Sequence, residues 1–194
     1  MALVMVPTLA VSGAVLTATA RGALAASVGV SASSFPVSGR SFQVSADVLK
    51  GWGFVQFGVL DQGPSGVYPE VLSGIGSADL YHLCQSVVED VPLIGKVTLR
   101  LTAGGGSRPA HADRLIVHAH DLRGDVVFEN VQIGRDASTL TTVPGVRGPV
   151  GGFGQQADSV RIDDLRQVNR SVSAATFRLP DAHLAVEKGD HSCF

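Results

Sequence analysis

Apolar and polar residues alternate along most of the chain beyond residue 40. The clearest run begins at Lys96, where Val97, Leu99 and Leu101 alternate with polar neighbours. A period of two over five to eight residues is typical of a strand with one buried face. Similar runs predict strands at 42–46, 54–60, 115–119, 127–131, 157–165 and 174–186. The pattern therefore predicts a mostly β, single domain, built as antiparallel sheet or stacked hairpins.

Three segments interrupt or blur this pattern. Glycine and proline at 61–66 predict a tight turn, and the aperiodic, glycine-rich segment 139–154 predicts a long loop. The segment Leu80 to Val91 fits either a strand or a short helix, although Val87-Val88 and Pro92 favour extended chain.

The dipeptide Ala-Asp recurs ahead of four of the β runs and suggests a faint internal repeat. It begins at Ala46, Ala78, Ala112 and Ala157, at unequal spacings. A tight solenoid needs a near-constant period, so the spacing favours stacked hairpins or a curved antiparallel sheet. A β-solenoid-like fold and a β-sandwich are the alternatives, and a chance recurrence of a common dipeptide explains the repeat equally well.

The N-terminal segment predicts either a signal peptide or a retained membrane anchor. Residues 1–20 carry no charge, and small residues at Ala23 and Ala25 fit cleavage after Ala25. No basic residue precedes the apolar run, and its length approaches that of a membrane-spanning helix. We expect an apolar helix at 1–25, an extended lead-in at 26–39 and a β-rich domain at 40–194.

Composition narrows the classes of partner. The formal net charge is −2 and no cluster of Lys or Arg occurs, so a nucleic-acid partner is not expected. The two cysteines, Cys84 and Cys193, form no CxxC motif. In an exported chain such a pair is most simply a disulfide, with two unrelated thiols as the alternative.

No motif in the chain carries recognisable catalytic chemistry. The G-x-S-x-G signature of α/β-hydrolases is absent, and Gly104-Gly105-Gly106 predicts a hairpin turn because no Lys-Ser or Lys-Thr follows it. His118 and His120 share one face of a predicted strand, so they are candidate metal ligands with His111 or Asp113. A polar strip facing solvent is the preferred interpretation, and we expect neither a metal nor a cofactor.

Several segments together resemble a known family of exported actinobacterial proteins, the domain of unknown function 6230. They are GALAAS at 22–27, GFVQFG at 53–58, LCQSVV at 83–88, KVTLRLTAGG at 96–105, GFGQQADS at 152–159 and the terminal Cys-Phe. The resemblance implies export, a mostly β domain and a bridge between Cys84 and Cys193. Members often carry the automatic label "cholesterol esterase", but the label brings no catalytic residues with it.

These observations predict an exported, secreted or cell-surface protein without catalytic activity. An aliphatic, weakly charged β domain offers an apolar face for lipid or another apolar ligand, or strand edges for assembly into a homo-oligomer. If the N-terminal segment is retained, it would add a membrane contact. The alternative is a carboxylic ester hydrolase that acts on lipid, such as a sterol esterase.

Overall fold

The computed structural model describes residues 41–63 and 66–194, and it has one antiparallel sheet as its framework. The strands among the described residues are β1 (Phe42–Gly63), β2 (Gly66–Tyr81), β3 (Leu83–Val91), β4 (Gly95–Ala103), β5 (Ala110–Glu129), β6 (Gln132–Asp136), β7 (Phe153–Ser173), β8 (Thr176–Arg178) and β9 (His183–Lys188). The predicted β domain is therefore confirmed. The expectations for residues 1–25 and 26–39 lie outside the described residues.

Four long strands close into a ring. β1 pairs with β2 on one side and with β7 on the other, and β5 pairs with both β2 and β7. The two pairings of β5 overlap at residues 116–119, where the ring closes. Inward side chains of all four strands form the main apolar core. The ring corresponds to neither the β-solenoid nor the open sandwich considered as alternatives.

Small residues form one row inside this ring. Gly51, Ala78 and Ala112 are neighbours in one row across β1, β2 and β5, and both alanines are fully buried. A Cβ atom at Gly51 would lie 2.8 Å from Cγ2 of Ile75. Because four strands enclose much less space than the eight of a common small barrel, larger side chains do not fit in this row.

The recurring Ala-Asp dipeptides lie one on each strand of the ring. Ala46, Ala78, Ala112 and Ala157 belong to β1, β2, β5 and β7, and all four are buried in the core. In each of the four dipeptides the alanine is therefore a core residue, although only Ala78 and Ala112 lie opposite each other. This placement gives it a packing role without requiring a regular repeat length.

The remaining strands extend the sheet beyond the ring. β3 continues the path of β2 after His82, which has a positive φ of 51°, and β3, β4 and β9 pair in that order. The segment Leu80 to Val91 is therefore strand, apart from the turn at His82. Gly63 pairs with Gly66, which agrees with the tight turn predicted at 61–66.

The predicted long loop packs on the outside of the ring. After a single 3-10 turn at Ala137–Thr139, residues 140–152 contain no strand. Leu140 and Val143 are buried there against Val55 and Phe57 of β1 in a second apolar cluster. Asp136 accepts hydrogen bonds from the backbone N–H groups of Ser138 and Gly151, both 2.9 Å long. These bonds lower the pKa of the Asp136 carboxyl below its usual value.

None of the helical segments among residues 41–63 and 66–194 has the length and apolar character needed to cross a membrane.

Candidate functional site

An apolar cavity of about 40 Å³ lies inside the ring. This volume holds about three water molecules. Most of its lining is aliphatic, and the polar contributions come from Ser73, Gln85, Gln167 and Asn169. None of the lining side chains is charged. The cavity therefore offers an uncharged environment with a few polar groups.

Asn169 is the most unusual group in this lining. The residue has no exposed surface, and neither its Oδ1 nor its Nδ2 atom has a hydrogen-bond partner among the described residues. Its backbone neighbours across the sheet are Ala119 and Phe42, whose side chains are apolar. A buried amide without partners costs free energy, because water can no longer satisfy it.

A chain of polar side chains marks one end of the ring interior. Nε2 of Gln155 donates to Oε1 of Gln56 over 2.6 Å, and Nε2 of Gln56 donates to Oγ of Ser73 over 2.9 Å. These residues are neighbours across β7, β1 and β2. Beyond these three residues, the same face of β1, β2 and β7 continues outside the ring.

Exposed apolar residues cover this continuation of the inner face, which we call the apolar rim. Its members are Leu60, Val67, Val71, Ile133 and Phe153, with exposed fractions of 73%, 57%, 38%, 64% and 65%. Strand alternation places all five on the face that carries Phe54 and Ile75 inside the ring. Isolated exposed apolar residues are ordinary, whereas a contiguous group marks an interaction surface.

The two edge strands of the sheet, β6 and β9, differ from each other. β6 is short and its pairing with β7 shifts register between Ile133 and Arg135, and such a bulge protects an edge against further pairing. β9 is the edge strand at the other end of the sheet, and it exposes Leu184 and Val186 by 53% and 55%. The exposed aliphatic side chains of β9 therefore lie at the opposite end of the sheet from β6.

A buried carboxylate lies on the outer face of β2. The side chain of Glu70 has no exposed surface, and its Oε1 atom lies 2.8 Å from Nε of Arg170. Its other oxygen, Oε2, lies 3.3 Å from Nδ1 of His118. The guanidinium of Arg170 also stacks over the ring of Tyr68, with its Cζ atom 3.8 Å from the ring centroid. The carboxylate thus has two basic side chains around it.

The two histidines that the sequence paired have different surroundings in the structure. β5 shifts register on both sides of Ala119, His118 is partly buried against Glu70, and His120 is exposed. No group of three or more His, Cys, Asp and Glu side chains in the described part of the chain is arranged to hold a metal ion. The bulge interrupts the alternation on which the candidate pair depended.

His111, the other histidine considered as a ligand, is enclosed by carboxylates. Its Nδ1 atom lies 2.7 Å from Oδ1 of Asp79, and its Nε2 atom lies 3.2 Å from Oδ1 of Asp113. The hydrogen bond to Asp79 contributes most to a pKa of His111 above the usual value, with a smaller contribution from Asp113 and some opposition from burial. Arg178 lies 3.6 Å from Asp113 on the same outer face. This cluster is an ion-pair network on the outside of the ring.

The C-terminal segment is tied down across the sheet, and we call residues 189–194 the C-terminal strap. Cys193 forms a disulfide with Cys84 of β3, the pairing that the family resemblance implies. The backbone N–H of Cys193 donates to Oγ of Ser86 over 3.0 Å, and Oγ1 of Thr98 donates to the carbonyl of Gly189 over 2.8 Å. The strap therefore crosses β4 and β3 on one face.

Comparison with known proteins places the chain in a family but gives it no function. Residues 38–194 match the family of unknown function DUF6230. The chain belongs to this family. Neither the curated proteins nor the solved structures contain a match. The functional interpretation of this DUF6230 domain therefore rests on its own residues.

Sequence reasoning did not find the polar groups that matter most in the structure. Glu70 and Arg170 are 100 positions apart, and nothing local indicates that they meet. Asn169 lies in a run in which Gln167 and Asn169 alternate with Val168 and Arg170. Because Arg170 is charged, this run has no clear alternation of polar and apolar residues that would show which side is buried. In the structure Gln167 and Asn169 are buried.

Proposed function

We propose that this DUF6230 protein acts outside the cytoplasm as a non-catalytic protein that binds lipid through its apolar rim. The observation that carries the proposal is a group of exposed apolar side chains on one face of the sheet, formed by Leu60, Val67, Val71, Ile133 and Phe153. A disulfide is typical of exported proteins, since thiols in the cytosol are kept reduced. Both features agree with a role at the cell surface or in the cell envelope.

The size of the interior favours binding to a lipid surface over enclosure of a whole lipid. A cavity of about 40 Å³ is far smaller than the roughly 300–1,000 Å³ of pockets that enclose drug-sized ligands. A sterol or a complete acyl lipid does not fit inside the ring. The rim, in contrast, presents its side chains outside the ring, where they can enter the apolar layer of a membrane.

The surroundings of the rim favour lipid over a second copy of the chain. The adjoining edge strand β6 is short and bulged, which opposes sheet-to-sheet pairing. The loop that precedes Phe153 exposes Val150 by 87% and also carries exposed Arg147. Aliphatic side chains that insert and a cation that stays at the headgroups are the combination found in proteins that lie on membranes.

Binding to vesicles tests this proposal. The purified full chain is mixed with neutral phosphatidylcholine vesicles, and the bound fraction is measured by flotation. The variant L60S/F153S removes two of the largest rim side chains and should weaken binding by at least roughly tenfold, since each buried side chain of this size contributes about 1.5–3 kcal/mol. The control L184S/V186S removes two aliphatic side chains from β9 that are more than half exposed, and it should bind like the parent.

Two results would contradict the proposal. One is a parent protein that does not float with vesicles at any lipid concentration. The other is equal loss of binding in both double variants, which would mean that any exposed aliphatic residue suffices. Light scattering of the same samples identifies self-assembly: a parent oligomer that L60S/F153S converts to monomers, without vesicle binding, would assign the rim to homo-oligomer formation.

A second candidate function, hydrolysis of a carboxylic ester, has one observation in its favour. His118 pairs in register with Ser171 across β5 and β7, and cross-strand partners have Cβ atoms about 4.5–5.5 Å apart. Since Nδ1 of His118 faces the Glu70 carboxylate, the three residues are ordered like a nucleophile, a base and an orienting acid. Against this role, Ser171 is exposed on the sheet surface, and Arg170 already gives Glu70 an electrostatic partner.

Turnover of a short-chain ester separates the two functions. If the protein is an esterase, p-nitrophenyl butyrate is hydrolysed and Ser171→Ala removes the activity, while Ser173→Ala, two residues along the same strand, retains it. If the protein only binds lipid, the parent hydrolyses the ester no faster than Ser171→Ala and Ser173→Ala do. Activity lost in Ser171→Ala alone would replace the non-catalytic interpretation.

A further inference from the structure

We propose that the cavity inside the ring is a binding site for a small, neutral aliphatic alcohol, with Asn169 as the group that recognises the hydroxyl. The inference rests on the interior of β1, β2, β5 and β7 and does not depend on the apolar rim. Two independent observations support it. One is the cavity itself, and the other is the fully buried Asn169 amide, which has no hydrogen-bond partner among the described residues.

The chemistry of Asn169 selects a hydroxyl group. A side-chain amide offers one acceptor oxygen and a donor NH₂ group, and both are unpaired at this position. A hydroxyl is complementary to this pair, because it donates one hydrogen bond and accepts others. Exchanging the oxygen and nitrogen positions of the amide leaves this argument unchanged, since a donor and an acceptor remain in either orientation.

The lining of the cavity excludes a charged ligand. None of its side chains is a cation or an anion, so a carboxylate or an ammonium group would be buried without a counter-charge, at a high cost in free energy. The aliphatic walls, which include Val117, Leu165 and Val172, are suited to an alkyl chain. An alkyl chain with a single hydroxyl therefore fits the lining better than a fatty acid does.

The size of the cavity limits the ligand to a small molecule. About 40 Å³ accommodates a short alkyl chain and not a sterol or a long-chain alcohol. The remaining polar lining residues, Ser73, Gln85 and Gln167, surround the same space. Ser73 already accepts a hydrogen bond from Gln56, which leaves Asn169 as the principal unpaired group.

The test compares molecules of the same composition that differ in the hydroxyl. The full chain with its disulfide intact is titrated with n-butanol, with its isomer methyl propyl ether, and with butyrate at neutral pH. Binding is followed through the methyl NMR signals of Val117 and Leu165. We expect saturable shifts with n-butanol, at least roughly tenfold weaker binding of the ether, which cannot donate, and no binding of butyrate.

Two variants connect the binding to Asn169. Asn169→Leu keeps a similar volume and removes both polar atoms, so it should bind n-butanol at least roughly tenfold more weakly than the parent. Asn169→Ser retains a donor and an acceptor and should keep the preference for alcohol over ether. If either variant fails to fold, the comparison of n-butanol with methyl propyl ether on the parent protein still tests whether the cavity recognises a hydroxyl.

Three outcomes would overturn the inference. The first is equal affinity for n-butanol and its ether isomer, which would make the cavity a purely apolar site. The second is unchanged alcohol binding in Asn169→Leu. The third is the absence of saturable shifts together with ordered water at Asn169 in a crystal grown with n-butanol, which would assign the cavity to solvent. None of these outcomes depends on whether the protein binds vesicles.

Discussion

The Nε atom of Arg170 lies 2.8 Å from Oε1 of Glu70, although the two residues come from β7 and β2. The N–H of Arg170 does not point at the carboxylate oxygen, so the contact is an ion pair and not a hydrogen bond. The Glu70 side chain is fully buried, while that of Arg170 is 25% exposed. The guanidinium therefore shields a carboxylate that has no contact with solvent.

Removing Arg170 alone should lower the free energy of unfolding more than removing both Arg170 and Glu70. We expect Arg170→Met to lower the free energy of unfolding by about 3 kcal/mol, because it leaves the Glu70 carboxylate buried beside His118 alone. The double variant E70L/R170M should recover most of this loss, since no buried charge remains. Urea unfolding of the three proteins measures both values, and additive losses in the double variant would contradict the expectation.

The disulfide should contribute strongly to stability because it closes a long loop. Cys84 and Cys193 are separated by 109 residues, and the chain-entropy model gives about 4–5 kcal/mol for a loop of this length. We expect the double variant C84S/C193S to lose about this amount in denaturant unfolding. Cys84→Ser and Cys193→Ser should each lower the free energy of unfolding by the same amount. A thiol assay on the unfolded parent should find no free cysteine.

The environment of His111 predicts that stability depends on pH. Asp79 and Asp113 raise the pKa of His111, with Asp79 first, and Arg178 faces the same cluster through Asp113. A raised folded-state pKa means a stabilising contribution that is complete below the unfolded value of about 6.5 and is lost as pH rises through the folded value. Thermal unfolding of the parent should therefore shift to lower temperature across that pH interval.

Two histidine variants separate this effect from other titrations. His111→Gln should remove the part of the pH dependence that lies above pH 6.5, while His120→Gln, which changes an exposed residue on the same strand, should retain it. If the unfolding temperatures of the parent and His111→Gln change with pH in the same way, protonation of His111 beside Asp79 and Asp113 does not couple to folding.

Two glycines of β1 offer a test of the narrow ring. A Cβ at Gly51 would lie 2.8 Å from Ile75 and 3.0 Å from Val160, whereas a Cβ at Gly58 would meet nothing within 4 Å. We expect Gly51→Ala to lower stability by about 1–3 kcal/mol through overpacking. Gly58→Ala, in the same strand, should be neutral or stabilising by about 0.5 kcal/mol. Equal effects of the two substitutions would contradict the packing argument.

The sequence alone identified the fold class because strand alternation is a local property. The alternation around Leu99, the turn at 61–66 and the aperiodic loop at 139–154 each depend on neighbouring residues only. The structure has a strand at Gly95–Ala103, pairs Gly63 with Gly66, and has no strand at 140–152. The burial within the first of these differs from the alternation, because Thr98 is buried while Leu99 is only partly buried. The recurring Ala-Asp dipeptides were also visible, but their common position inside the ring was not.

Only the tertiary structure decided which polar residues are buried and which of them meet. The local run around Asn169 does not show which way its side chain faces, and it is an inner residue because β1, β2, β5 and β7 close into a ring. Glu70 and Arg170 come together across strands that are far apart in the chain. His118 is partly buried beside Glu70, whereas His120, at the register shifts around Ala119, is exposed. Local patterns determine strands, whereas ring closure and bulges are set by packing between distant segments.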